Sequence, residues 1–81
     1  MKTEAQVLQT VKEILSENFS IDGAKVTPEA SFRGTLGLDS LDVVDLVFFI
    51  QEAFKLEDTL DDYRELHTVS KVCAYIASKG V

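Results

Sequence analysis

The fold of this chain is decided by residues 39–54, which read Asp39-Ser40-Leu41-Asp42-Val43-Val44-Asp45-Leu46-Val47-Phe48-Phe49-Ile50-Gln51-Glu52-Ala53-Phe54. Asp39 is a preferred N-cap residue, and the carboxylate of Asp42 in the first turn suits the positive end of a helix dipole. Apolar residues then recur at the spacing of an amphipathic helix. We therefore predict a helix that begins at Asp39 and ends near Phe54.

This helix has one continuous apolar face. At about 100° per residue, its members fall on an arc roughly 120° wide, which is wide enough to be a core-facing stripe. They are Val43, Leu46, Val47, Ile50, Ala53 and Phe54. We expect this face to pack into the core.

A second group of apolar residues lies on the opposite side of the same helix. It consists of Leu41, Val44 and Phe48, interleaved with Asp45, Gln51 and Glu52 and next to Ser40. An apolar strip edged by carboxylates is typical of a partner-binding face, with anchors in the middle and charges that steer the partner. The alternative is that a small bundle buries two faces of its central helix. Phe49 fits neither face, and it either packs under the preceding loop or stays exposed.

The residues before this helix predict another helix and a long loop. Apolar residues recur at helical spacing from Thr3 to Glu17, and Thr3 with Gln6 can form a capping box. Glycines and a proline then end regular structure. We expect the apolar residues of the loop to pin it onto the core: Phe19, Ile21, Val26, Phe32 and Leu36.

The residues after residue 54 predict two further helices. Residues 61–66 can form a short one, and the last helix opens at Thr68 or Ser70 and closes at Gly80. Its inner face consists of Val69, Val72, Cys73 and Ile76, so Cys73 is interpreted as a packed small hydrophobe rather than a reactive thiol. The predicted fold is all-α: a four-helix bundle of three longer helices and one short one, with a long first loop, in a single domain over residues 1–81.

Negative charge is concentrated in the middle of the chain. The 81 residues carry a net charge of −6, and residues 34–62 contain eight acids and one base. This field repels nucleic acid and anionic lipid, and it attracts basic protein surfaces. The sequence has no apolar run near the roughly 18 residues of a membrane span, no secretory signal, and a single cysteine. We expect a cytoplasmic protein that neither inserts into membranes nor binds nucleic acid.

Ser40 lies just inside the predicted helix start, after the bend Gly37-Leu38-Asp39. An exposed hydroxyl suits modification there, because free backbone N–H groups and the positive helix end favour an attached phosphate. The carboxylate of Asp39 can help to hold Mg²⁺ during transfer, since Mg²⁺ prefers carboxylate and phosphate oxygens. Taken alone, however, a serine at this position is usually only a cap or first-turn residue.

The residues around Ser40 resemble the attachment motif of the acyl carrier protein family. They read Leu36-Gly37-Leu38-Asp39-Ser40-Leu41-Asp42 and continue Val43-Val44-Asp45-Leu46-Val47. In that family Asp-Ser-Leu opens the second helix of a four-helix bundle. Phe32 before the motif, Glu52-Ala53-Phe54 after it and Thr68-Val69 at the last helix extend the resemblance over essentially the whole chain.

This resemblance implies a monomeric carrier that catalyses nothing and has no resident metal. A phosphopantetheinyl transferase would use Mg²⁺ to move phosphopantetheine from coenzyme A to Ser40, and the thiol of that arm would hold acyl groups as thioesters. The acyl groups would serve fatty acid synthesis or specialised lipid or secondary-metabolite synthesis. The implied docking residues for basic enzyme surfaces are Asp39, Leu41, Asp42, Val44, Asp45, Phe48 and Glu52. The implied acyl pocket lies near Val47, Ile50, Leu66 and Ile76.

The chain also departs from the family pattern. Arg33-Gly34-Thr35 replaces a stretch that is usually acidic in carriers of general fatty acid synthesis, and Gln51 and Ala53 replace common glutamates. These departures indicate a specialised carrier for a dedicated pathway. Two alternatives stay open, an unmodified acidic interaction module and a peptidyl or aminoacyl carrier, although Leu38-Asp39 favours the acyl class. A serine hydrolase is disfavoured, because Asp42 occupies the second glycine position of Gly-x-Ser-x-Gly.

Overall fold

The computed structural model describes residues 3–57 and 60–79. Helix α1 spans Glu4–Phe19, α2 spans Ser40–Phe54 and α3 spans Val69–Ser78. Two short 3₁₀ helices lie between them, Gly23–Lys25 and Leu60–Tyr63. Within the described residues, β pairing is confined to an isolated antiparallel bridge from Ser31 to Thr68. The all-α prediction is therefore confirmed.

The start of α1 follows its predicted cap. The Gln6 N–H donates to the Thr3 hydroxyl over 3.2 Å, and the Thr3 N–H donates to Gln6 Oε1 over 2.9 Å. The helix runs past its predicted end at Glu17, because the chain turns only at Ser20. That residue takes the left-handed conformation, with φ 55°, and its N–H bonds to the Leu15 carbonyl.

The second half of the chain confirms one predicted boundary and changes another. Of the two predicted starts of the last helix, Thr68 is the N-cap of α3. The short helix predicted over residues 61–66 is a 3₁₀ helix at Leu60–Tyr63 instead. The predicted end of the last helix at Gly80 lies outside the described residues.

The core is built from one face of each helix, with α1 packed on both α2 and α3. The buried helical residues are Val7, Val11, Ile14 and Leu15 of α1, Leu46, Val47, Ile50 and Phe54 of α2, and Val69, Val72, Cys73 and Ile76 of α3. Burying a side chain of this kind stabilises the fold by about 1.5–3 kcal/mol. Two predicted members of the α2 stripe differ: Ala53, at the edge of the arc, is exposed, and Val43, in the first turn, is half-buried.

The long loop between α1 and α2 is pinned to the core, as predicted. Its buried residues include Val26, Phe32 and Leu36, and Ile21 is partly buried. Phe19, a predicted loop residue, is instead the partly buried last residue of α1. The loop is also tied to the start of α3. The Phe32 N–H donates to the His67 carbonyl over 3.1 Å, and the Val69 N–H donates to the Ala30 carbonyl over 2.9 Å. These bonds position the turn that leads into α2.

Phe49, which fits neither face of the helical wheel, packs against the end of α1. Its ring meets Phe19 edge to face, with centroids 5.9 Å apart and planes at 88°. This is one of the preferred geometries of aromatic pairs. Although Phe49 remains 38% exposed, it serves as a contact between α1 and α2.

Candidate functional site

Ser40 is the first residue of α2, and it is exposed. A reciprocal capping box brackets it: the Asp42 N–H donates to Asp39 Oδ1 over 2.8 Å, and the Asp39 N–H donates to Asp42 Oδ2 over 3.3 Å. These bonds fix the backbone on both sides of Ser40. The hydroxyl therefore lies in solvent at the positive end of a helix, where an attached phosphate is favoured.

Arg33 lies beside this hydroxyl. Its guanidinium donates a hydrogen bond to the Ser40 hydroxyl oxygen. In the sequence, Arg33 stood out only as a departure from the family pattern. A sequence signal for this contact exists, because Arg33 is the sole basic residue between Lys25 and Lys55 and lies seven positions before Ser40.

An open cavity of about 580 Å³ adjoins Ser40. Its apolar lining consists of Phe32, Val43, Val44, Tyr63 and Leu66. Its basic lining consists of Arg33, Arg64 and His67, and none of the described residues that line it is acidic. In a chain of net charge −6, the cavity thus combines an apolar wall with basic side chains at its rim.

The apolar strip that the sequence predicts for partner binding lies on the outer side of α2. Leu41 is 76% exposed and Phe48 is 63% exposed, while Val44 between them is half-buried. The alternative in which α2 buries both faces is therefore wrong. The carboxylate residues along the strip are Asp42, which is half-buried, and Asp45 and Glu52, which are exposed.

The residues predicted for the acyl pocket lie in two environments. Val47, Ile50 and Ile76 are 4%, 1% and 0% exposed and belong to the core, whereas Leu66 is half-buried and lines the cavity. The cavity instead joins Leu66 to Val43 and Val44. Sequence reasoning missed these two valines as cavity residues, although both follow Ser40 within one helical turn.

Cys73 is buried on the inner face of α3. Burial, with a smaller contribution from the charge of Glu4, raises the pKa of its thiol from 9.0 to about 11. Since the thiolate is the reactive form, Cys73 is protonated and inert near neutral pH. The prediction of a packed small hydrophobe is confirmed.

Residues 3–57 and 60–79 contain neither a metal centre nor a membrane span. No three of their His, Cys, Asp or Glu side chains are grouped to hold an ion. None of their helices has both the length and the apolar character needed to cross a bilayer.

Comparison with known proteins assigns this fold and site to a family. The sequence model described as the phosphopantetheine attachment site matches residues 9–76. An acyl carrier protein of Bdellovibrio bacteriovorus is 46% identical over 70 residues, which cover 86% of this chain and 90% of that protein. The chain belongs to the acyl carrier protein family.

Other acyl carriers agree with this assignment. The acyl carrier protein of Rubrobacter xylanophilus is 38% identical over 71 residues, covering 88% of each chain. A solved structure of the acyl carrier protein from Enterococcus faecalis matches 95% of this chain and 98% of its own, with a TM-score of 0.75 and 31% identity. The resemblance inferred from the attachment motif is therefore confirmed.

The cofactor of this acyl carrier is phosphopantetheine. The residues around Ser40 fit such a group, because an exposed hydroxyl is available for the phosphodiester and a guanidinium lies beside it. The adjoining cavity offers an apolar wall with no acidic side chain among its described residues. Arg33, Ser40 and the cavity wall would therefore hold the first part of the arm.

Proposed function

We propose that Ser40 is the attachment residue of this acyl carrier, and that residues 1–81 act as one non-catalytic domain that a phosphopantetheinyl transferase loads. The observation that carries the proposal is the exposed Ser40 hydroxyl at the first position of α2, beside the cavity. Once attached, the arm supplies a terminal thiol that holds acyl groups as thioesters. The domain itself orients the arm and presents it to other enzymes.

The loading step forms a bond between Ser40 Oγ and the phosphorus on the pantetheine side of coenzyme A. The phosphoanhydride bond breaks, and adenosine 3′,5′-bisphosphate leaves with its electron pair. The serine proton passes to a base of the transferase. Asp39 is proposed to help hold Mg²⁺ near the transferred phosphate, since its carboxylate is exposed next to Ser40 and Mg²⁺ prefers such ligands.

The outer side of α2 is proposed as the docking surface for the transferase and for acyl-handling enzymes. Two exposed apolar side chains, Leu41 and Phe48, provide anchors. Asp42, Asp45 and Glu52 provide the negative field that steers a basic partner. An apolar centre inside a polar rim is the usual anatomy of a protein–protein interface.

We further propose that the acyl chain is sheltered between the helices, near Val47, Ile50, Leu66 and Ile76. The cavity reaches Leu66. The other three residues are buried in the packed core, so a chain that reaches them has to push them apart. Packed interiors resist such a change, which favours short or weakly buried acyl groups.

A dedicated pathway in the cytoplasm is the proposed setting, with the carrier acting as a monomer. Supporting this, Arg33 brings a positive charge to Ser40 in a stretch that is usually acidic in carriers of general fatty acid synthesis. Ala53 is exposed where a glutamate is common, so the end of α2 presents fewer carboxylates. The acyl-loaded protein is expected to be a poorer substrate for general chain-elongation enzymes than a carrier of general fatty acid synthesis is. Equal activity of these enzymes with both carriers would contradict this setting.

The attachment itself is tested by intact-protein mass spectrometry. The protein is incubated with a broad-specificity phosphopantetheinyl transferase, coenzyme A and Mg²⁺. We expect a gain of one phosphopantetheinyl mass, which Ser40→Ala abolishes. Ser70→Ala is the matched control, because Ser70 is also an exposed serine in the first turn of a helix, and this variant should load normally. No gain in the unchanged protein would favour an unmodified interaction module.

A further inference from the structure

The backbone on both sides of Arg33 is held by a dense set of hydrogen bonds. The Ser31 hydroxyl accepts from the N–H groups of Gly34 and Thr35, over 3.1 and 3.0 Å. The Leu38 N–H donates to the carbonyl of Phe32, a buried residue, over 2.9 Å. Arg33 therefore projects from an anchored turn. Its guanidinium reaches the Ser40 hydroxyl as a consequence of the fold.

The charges around this contact are unevenly distributed. Asp39 and Asp42, which flank Ser40, are both engaged in the capping box of α2. A phosphodiester on Ser40 adds a further negative charge beside them, and like charges at this spacing repel. Among the described residues that line the cavity, the basic side chains are Arg33, Arg64 and His67, and none is an aspartate or a glutamate. Arg64 pairs with Asp61 over 3.0 Å, whereas Arg33 is hydrogen-bonded to the Ser40 oxygen that is proposed to carry the phosphate.

We propose that Arg33 is a positioning residue for the arm, which pairs with the phosphodiester on Ser40 and holds the first part of the arm against the cavity. This inference rests on the proposed attachment at Ser40. A guanidinium suits the task, because it can donate two parallel hydrogen bonds to a phosphate. The bond that Arg33 now makes to the hydroxyl oxygen moves to the phosphate oxygens after loading. The pairing also offsets the repulsion from Asp39 and Asp42.

The exposure of Arg33 limits the strength of this pairing. Exposed ion pairs are weak and are screened by salt. The arm is therefore expected to exchange between a form held by Arg33 and a free form, with the held form favoured by a few-fold at low salt. Such a weak contact keeps the thiol available to partner enzymes while biasing the resting position of the arm.

The test uses the loaded protein and the ³¹P signal of its phosphodiester. At low salt we expect Arg33→Gln to shift and narrow this signal relative to the unchanged protein, because the phosphate loses a partner that restricts it. Arg33→Lys should give an intermediate signal, since lysine keeps the positive charge but cannot donate two parallel hydrogen bonds to the phosphate. Arg64→Gln is the matched control, because it removes another exposed base that lines the same cavity, and it should leave the signal unchanged.

A salt titration supplies a second measurement that needs no variant. Raising NaCl to about 1 M, where the screening length is about 3 Å, should move the signal of the unchanged protein to the position found for Arg33→Gln. The inference is overturned by a signal that salt does not move, by identical signals in the unchanged protein and Arg33→Gln, or by an equal change in Arg64→Gln. Failure of the proposed attachment is distinguishable, since no mass gain would then be found before any ³¹P spectrum is recorded.

Discussion

Arg33 and Ser40 lie seven positions apart in the chain, and the guanidinium of the first donates a hydrogen bond to the hydroxyl of the second. The contact joins a turn of the long loop to the first residue of α2. It places a cation at the hydroxyl that is proposed to carry phosphopantetheine. The loop and the helix start thus form one site.

Asp39 is expected to have two separable roles. Asp39→Ala removes the N-cap of α2 and should lower the free energy of unfolding by about 1 kcal/mol, whereas Asp39→Asn retains an equally good cap. Both changes should slow loading of Ser40, because both remove a carboxylate from the proposed Mg²⁺ position. Urea unfolding measures the first effect and a mass-spectrometric time course measures the second. Normal loading of Asp39→Asn would show that Asp39 acts only as a cap.

Phe48 and Phe49 are adjacent, yet we expect opposite effects from changing them to alanine. Phe48 is 63% exposed, so Phe48→Ala should leave stability within about 0.5 kcal/mol and weaken docking to the transferase about tenfold, as the loss of an apolar anchor does. Phe49 packs on Phe19, so Phe49→Ala should lower stability by about 1 kcal/mol and leave docking largely intact. Thermal unfolding and binding titrations separate the two outcomes. The reverse pattern would place the docking face on the other side of α2.

Cys73 should make stability depend on pH in the alkaline range. Its folded pKa of about 11 lies above the ordinary value of 9.0, so the folded protein holds the thiol proton more tightly than the unfolded chain. The resulting contribution to stability is complete below pH 9.0 and is lost as pH rises towards about 11. Across this pH range, the free energy of unfolding should fall more steeply for the unchanged protein than for Cys73→Ala. Parallel curves would mean that the thiol titrates normally in the folded state.

Gly37 is the position where the turn before Ser40 requires a left-handed backbone, with φ of 70°. Gly37→Ala should cost about 1 kcal/mol of stability, because a side chain is strained in that conformation. Gly37→Asn should cost less, since asparagine visits this region more readily. Chemical unfolding of the two variants checks the order. Equal costs would indicate that contacts of the new side chain, rather than backbone strain, set the penalty.

The helix boundaries that were predicted well are those with a chemical cap. Thr3, Asp39 and Thr68 each accept a hydrogen bond from a backbone N–H in the following turn, and such bonds depend on residues only three positions apart. The short helix predicted at residues 61–66 was placed without assigning a cap, and the structure has a 3₁₀ helix at Leu60–Tyr63 instead. The wheel also misplaced Ala53, because an edge position is buried only if a neighbouring element covers it.

The sequence by itself determined the three α-helices, the caps that start them and the negative field of residues 34–62, and it supplied the motif on which the proposal for Ser40 rests. Caps and helical periodicity depend on residues within one or two turns of each other, and net charge follows from the amino-acid composition alone. Tertiary structure alone decided that Arg33 meets Ser40, that Phe49 meets Phe19, and that a cavity with basic side chains at its rim adjoins Ser40. These features depend on the position of the long loop against the rest of the fold. Backbone hydrogen bonds to residues distant in sequence, such as His67, set that position.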